Sequence, residues 1–323
     1  MNWVVDKFST REAPGHVLTE LAEKDNNIYA MGSDCIKTMA FIEMQERFPD
    51  RVINVGISEQ NLALTAAGIA SCGGKPYAAS FAPFASMRML EQIRTFICYP
   101  NLNVKILAGL GGLAGGILGA THHGLEDMSL IRSIPNIVLV VPADYCSARE
   151  ITKKMYEYVG PAYLRLGADP QPKIFDSYSF TIGKANVMKD DGKDLTVITN
   201  GQGVHRSLEA CEILKGKGIH ARIVEMPCVK PIDKEEILRS ASLTGIIATV
   251  EENNILGGLG GAVCEVTAEE KPVPVLRLGI SDIFTESALP AELLDKYGFA
   301  PADILRRVAR FLGRLPGADR YSE

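Results

Sequence analysis

Short apolar runs alternate with stretches of helical spacing along the first half of the chain. NIYAM (27–31), RVINV (51–55), residues 76–80, VKILA (104–108), IVLVV (137–141) and AYLRL (162–166) read as brief buried strands. Residues 10–24, 36–48, 60–71, 83–97 and 143–158 read as helices, with Pro49 and Pro100 stopping two of them. Short apolar strands between helices predict a parallel sheet covered on both faces. The pattern breaks over residues 168–192, where ADPQPKIFDSYS and MKDDGKD are rich in Pro, Asp and Ser. It resumes with LTVIT, a helix through Leu214, ARIVEM, a short helix after Pro231, GIIATVEE, a helix after the glycines, and VLRLG. The expected architecture is α/β with two domains: residues 1–167, a linker at 168–192, a smaller domain at 193–315, and a loose tail at 316–323.

A length of 323 residues accommodates two such domains, and 46% hydrophobic with 23% charged residues fits a soluble globular chain. The net charge of −5 gives no broad basic field, so nucleic acid and anionic membrane are not expected partners. No apolar run approaches the roughly 18 residues of a membrane span. The N-terminus lacks the basic-then-apolar layout of a signal peptide, and a cytoplasmic location is expected. Seven cysteines, with no CxxC pair, read as reduced thiols. None of them forms a pair beside His122 and His123, so no zinc site is expected there.

Three segments that follow predicted strands could carry chemistry, since ligands of open parallel sheets sit beyond the carboxyl ends of the strands. In NVGISEQNLALTAAGIA, Glu59 heads an apolar helix of small residues. Ser58 could cap that helix and Glu59 complement its positive end, an effect of about 0.3–1 kcal/mol. The alternative is a pocket carboxyl. In ASFAPFASMRMLEQIR, Phe81 and Phe84 could be core or could wall a heteroaromatic ring. In AGLGGLAGGILGATHHG, a glycine-rich loop leads to Thr121, His122 and His123, and histidines so placed suit proton transfer near neutral pH. The glycines imitate a dinucleotide fingerprint only weakly, because they run on into THHG instead of opening an apolar helix.

In this order the segments resemble the C-terminal half of transketolases and 1-deoxyxylulose-5-phosphate synthases, the thiamine-diphosphate enzymes. GISEQN, SFAPF and GATHHGLEDMSLIRSIPN carry the resemblance, supported by NGQGVHRSLEACEIL, VEMPCVKPID and VEENNILGGLGGAV in the second half. It implies a pyrimidine-binding domain followed by a transketolase C-terminal domain. It also implies that Glu59 hydrogen-bonds the cofactor's aminopyrimidine, favouring the imino form that removes the thiazolium proton. A partly desolvated carboxyl suits that role, since burial favours the form that can share a proton. Phe81 and Phe84 would flank the ring, Asp34 would lie near the thiazolium, and His122 would assist substrate proton transfer. Arg11 would grip a phosphate, with His123 and Arg165 completing the substrate contacts. The small residues behind Glu59, among them Ala66, Ala67 and Gly68, would pack at an inter-subunit surface.

The chain has no G-D-G…N segment, the mark of the domain that holds diphosphate and Mg²⁺ in transketolases. The resemblance therefore implies a split enzyme, with a separate N-terminal subunit supplying the metal ligands in an α₂β₂ assembly. Many transketolases have an aspartate at the position of Leu118, a histidine near Leu110 and an arginine near Ala168, so the substrate is expected to depart from the ordinary pentose phosphates. A branched, deoxy or otherwise substituted ketose with a phosphate or sulfonate end would fit. The β-subunits of 2-oxo-acid dehydrogenases are the nearest alternative. A dinucleotide-binding oxidoreductase and a non-catalytic assembly subunit are more distant ones. The repeated glycines at 257–261 are expected to serve packing and turn geometry.

Overall fold

Seven strands build the first sheet, in the order Cys228–Lys230, Val138–Val140, Ala162–Arg165, Lys105–Gly109, Lys75–Phe81, Ile28–Gly32 and Val52–Asn54. Six of them are parallel, and Cys228–Lys230 joins antiparallel at the edge. The computed structural model describes residues 3–313, so the tail expected at 316–323 lies outside the described residues. Helices cover both faces of the sheet. Leu62, Ala63, Ala66, Met89 and Ile131 pack on one side. Leu18, Met44, Ile151 and Met155 pack on the other. Two-sided burial explains why these strands read as continuous apolar runs without alternation.

The second sheet runs Val275–Ile280, Ile247–Asn254, Leu195–Thr199, Ala221–Glu225 and Asn186–Lys189, with only the last strand antiparallel. The expected two-domain α/β architecture is therefore present. Several local expectations differ. Residues 168–192 are not a free connector: Pro170–Pro172 pairs with Val5–Ser9, and Asn186–Lys189 completes the second sheet. Asp144 Oδ2 also accepts the amides of Ile174 and Phe175 at 2.8 and 2.9 Å, fixing this segment to the first domain. The second domain lends Cys228–Lys230 to the first sheet, a pairing that crosses the expected boundary. The helix expected over 36–48 forms only at Ile42–Arg47.

The helix expected over 83–97 is interrupted. It comprises Ala82–Met87, a short turn at Leu90–Gln92 and a π-helical segment at Ile93–Cys98. Ala66 and Ala67, expected at an inter-subunit surface, instead fill the chain's own core. Gly68 on the same helix is exposed, with nothing near its missing Cβ. All seven cysteines are free, and Cys35, Cys98, Cys211 and Cys228 are buried. Among the described residues no helix is long and apolar enough to cross a membrane.

Candidate active site

Four neighbouring strands end on one edge of the first sheet and deliver the site. Val52–Asn54 leads to Glu59, Ile28–Gly32 to Asp34, Lys75–Phe81 to Phe84, and Lys105–Gly109 to the loop bearing His122. Asn54 is the pin between two of these connections. Its Oδ1 accepts the amides of Asp34 and Gly56, both at 3.0 Å. Asp34 takes a positive φ of 57° there, a conformation Asp tolerates better than most residues. Ser33 Oγ donates to Ser80 Oγ at 2.9 Å, tying the ends of the next two strands together.

Glu59 opens the helix Glu59–Ser71 and is only 5% exposed. Ser58 makes no side-chain cap, so the reading of this stretch as a simple capped helix start does not hold. An ionised carboxyl so buried needs a partner, and Arg88 supplies it. Arg88 Nη1 donates to both Glu59 oxygens at 3.2 Å. The same guanidinium lies over the Phe84 ring, 3.9 Å from its centroid. The Phe84 and Phe81 centroids are 6.2 Å apart, and the His122 ring meets Phe84 edge-on at 5.0 Å and Phe81 at 6.2 Å. Glu59, Phe81, Phe84 and His122 are thus brought together, far apart in sequence though they are. Burial, reinforced by the charges of Asp34 and Glu59, pushes the Cys35 thiol up to about 12, so Cys35 is a packing residue beside the site.

His122 is half-buried, with Nδ1 3.0 Å from Thr121 Oγ1. His123 is not part of the same surface. It is buried, its Nδ1 lies 2.6 Å from Thr285 Oγ1, and its Nε2 lies 3.1 Å from the Gly116 carbonyl. Burial lowers its pKa. The structure places His123, expected among the substrate contacts, with both ring nitrogens bonded inside the chain, between the glycine loop and residue 285.

Arg165, also expected among the substrate contacts, is likewise bonded inside the chain. It is 5% exposed, and its Nε faces the two Asp127 oxygens at 3.0 and 2.9 Å. Its Nη2 donates to the carbonyls of Gly124 and Glu252, both at 2.7 Å. Glu252 Oε1 in turn accepts the Leu113 amide at 2.7 Å. Nε and Nη2 of Arg165 thus tie residues of the two domains together. Arg11 differs: it precedes the helix Glu12–Ala22, is partly exposed, and its buried Nε has no partner among the described residues. Burial lowers its pKa, against the opposing charges of Glu12 and Asp169. A free donor on a partly desolvated guanidinium suits an anionic group.

Leu110 and Ala168, two positions at which a departure from pentose-using transketolases is expected, meet in space. Leu110, Ala114 and Ala168 form one small apolar cluster against Phe81. Leu118 is exposed in the same glycine-rich loop. Arg88 and Asn54 were not anticipated from the sequence. Arg88 follows Phe84 by four residues, a helical spacing that puts a cation over a ring. Asn54 carried no comparable signal.

The fold and the site together define a two-domain α/β chain whose first, parallel sheet carries a pyrimidine-binding domain. The chain belongs to the transketolase family. Residues 6–169 match the transketolase pyrimidine-binding domain and residues 183–304 the transketolase C-terminal domain. A putative transketolase C-terminal section from Methanocaldococcus jannaschii is 40% identical over 302 residues, covering 92% of this chain and 94% of that protein. One of the subunits of an apulose-4-phosphate transketolase from Phocaeicola vulgatus is 37% identical, covering 94% of this chain and 98% of that one. A 6-deoxy-6-sulfo-D-fructose transketolase subunit from a Clostridium species is 36% identical, covering 90% of each chain. A solved structure described as a split-gene transketolase, an inactive β4 tetramer, superposes with a TM-score of 0.88 at 43% identity, covering 95% of this chain and 99% of that one. The chain therefore corresponds to the C-terminal section of a split transketolase.

Proposed function

We propose that this chain is the pyrimidine-binding subunit of a heteromeric, thiamine-diphosphate-dependent transferase that moves a two-carbon ketol unit from a ketose to an aldose. The observation that carries this reading is that one sheet edge brings together buried Glu59, bridged by Arg88 to the Phe84 face, and the His122 ring against Phe84. The residues fit an aminopyrimidine: a flat apolar face, a second aromatic at its flank, and a carboxyl shielded from water. When bound, the cofactor supplies an electron sink for carbon–carbon bond cleavage.

Each residue then has a task. Phe84 and Phe81 bind and orient the ring, and Glu59 holds a proton at its carboxyl oxygen toward the ring nitrogen. Asp34, fixed by Asn54, stands at the neighbouring strand end toward the thiazolium. His122, with Nδ1 turned to Thr121, presents Nε2 for moving a proton on the substrate. Arg11 grips a phosphate or sulfonate with its unpartnered donor. A second subunit carries the diphosphate and Mg²⁺ ligands, in an α₂β₂ assembly.

A modified ketose is the substrate this reading favours, because Leu110 and Ala168 stand where the resemblance expects polar groups, and a site without those groups does not read the hydroxyls they would contact. The named substrates of two relatives, 6-deoxy-6-sulfo-D-fructose and apulose 4-phosphate, are of this kind. The test is to co-purify the chain with a partner bearing G-D-G…N and screen donors and acceptors with thiamine diphosphate and Mg²⁺. Ketol transfer from a branched, deoxy or sulfonated ketose is expected. Turnover of xylulose 5-phosphate plus ribose 5-phosphate at the pair's best rate would defeat the substrate assignment. Full activity of the chain without a partner would defeat the split assembly.

A further inference from the structure

Arg88 occupies the two groups that the reading above gives to the cofactor ring. Its guanidinium is planar, carries N–H donors in its plane, and stacks 3.9 Å over the Phe84 centroid. One in-plane donor reaches both oxygens of Glu59 at 3.2 Å. An aminopyrimidine has the same two attributes: a flat face for Phe84 and an in-plane polar edge for Glu59. Two planar groups cannot use the same ring face and the same carboxyl at once.

The backbone places Arg88 where it can leave. It sits in the break between Ala82–Met87 and Leu90–Gln92, one short turn ahead of the π-helical segment Ile93–Cys98. Such turns recur at functional sites. The Arg88 side chain is 49% exposed while that of Glu59 is 5% exposed, so the pair has one fixed, dry partner and one with an open route to water. Glu59 needs a partner in the unloaded chain. The Arg88 guanidinium meets that carboxyl and the Phe84 face, and among the described residues no second ion pair holds it in place.

We propose that Arg88 is a positioning residue that stands in for the aminopyrimidine: it keeps Glu59 and Phe84 satisfied and aligned in the unloaded subunit, and withdraws as the ring enters. This rests on the thiamine-diphosphate reading. An equilibrium in which Arg88 must first move out weakens the apparent affinity by the fraction of molecules in which it has done so. Removing the guanidinium should therefore tighten cofactor binding.

The experiment is calorimetric titration of thiamine diphosphate, with Mg²⁺, into the reconstituted pair carrying wild-type chain, Arg88→Met or Arg88→Lys. The pair of contacts is partly exposed, and a decrease in Kd of about threefold to thirtyfold is expected for Arg88→Met. Arg88→Lys, which keeps the charge and loses the planar stack, should fall between. The isolated Arg88→Met chain should melt below wild type, because Glu59 loses its partner. An unchanged or raised Kd in both variants would overturn the proposal while leaving the cofactor reading intact. A wild-type pair that takes up no thiamine diphosphate would overturn both.

Discussion

Arg165 Nε lies 3.0 and 2.9 Å from the two oxygens of Asp127, with both side chains buried. Arg165 Nη2 reaches carbonyls of both domains. Breaking such a pair leaves one charge buried without compensation, which costs about 3–5 kcal/mol. Arg165→Met should lose stability on that scale in urea unfolding of the chain. A variant with wild-type stability and selectively raised substrate KM in the pair would restore Arg165 to the substrate site.

Glu59→Gln should leave the fold intact and lower kcat of the reconstituted enzyme by about a hundredfold or more, the scale of a lost acid–base function. Circular dichroism and steady-state rates on the same preparation separate the two effects. Near-wild-type turnover would return Glu59 to a purely structural role.

The adjacent histidines should behave oppositely. His122→Ala removes a half-buried ring whose only side-chain hydrogen bond among the described residues is to the adjacent Thr121, and should reduce turnover with little change in melting temperature. His123→Ala removes a buried ring bonded to Thr285 and Gly116, and should destabilise the fold by about 1–3 kcal/mol. Matching stability losses in both variants would contradict the division of roles.

Glu225 makes the stability of the second domain depend on pH. It is fully buried, and burial pushes its carboxyl up to about 7, against the lowering effect of bonds from Asn186 and Tyr178. A pKa raised on folding contributes stability that is complete below the unfolded value, about 4.5, and is lost as pH rises through about 7. Glu225→Gln should remove this component, so its stability relative to wild type should improve from pH 4.5 to pH 7, by up to about 3 kcal/mol. A constant difference across that window, measured by chemical unfolding, would refute the assignment.

Gly258 closes on the carboxyl of Glu251, which accepts the amides of Leu259 and Gly260 at 2.6 and 2.7 Å. A Cβ on Gly258 would stand 2.1 Å from Glu251 Oε2. Gly258→Ala should therefore destabilise the domain by about 1–3 kcal/mol, read as a lower midpoint in urea. Unchanged stability would mean that the loop relaxes freely.

The apolar runs by themselves determined the parallel first sheet, the alternation of strands and helices, and the second α/β unit. Two-sided burial leaves continuous apolar runs that do not depend on which strands become neighbours. The order of GISEQN, SFAPF and THHG likewise marked Glu59, Phe84 and His122 as members of one family site. What the linear pattern could not hold was partnership at long range. His123 and Arg165 have residue types suited to substrate, yet packing gives them Thr285 and Asp127, residues 162 and 38 positions away. The strand Cys228–Lys230 crosses to the other domain's sheet because an open edge there accepts it. Arg88 became visible only when the helix after Phe84 broke and turned its guanidinium onto Glu59. Burial and hydrogen-bond satisfaction are properties of the assembled fold, and they decided which charged residues remain free to act.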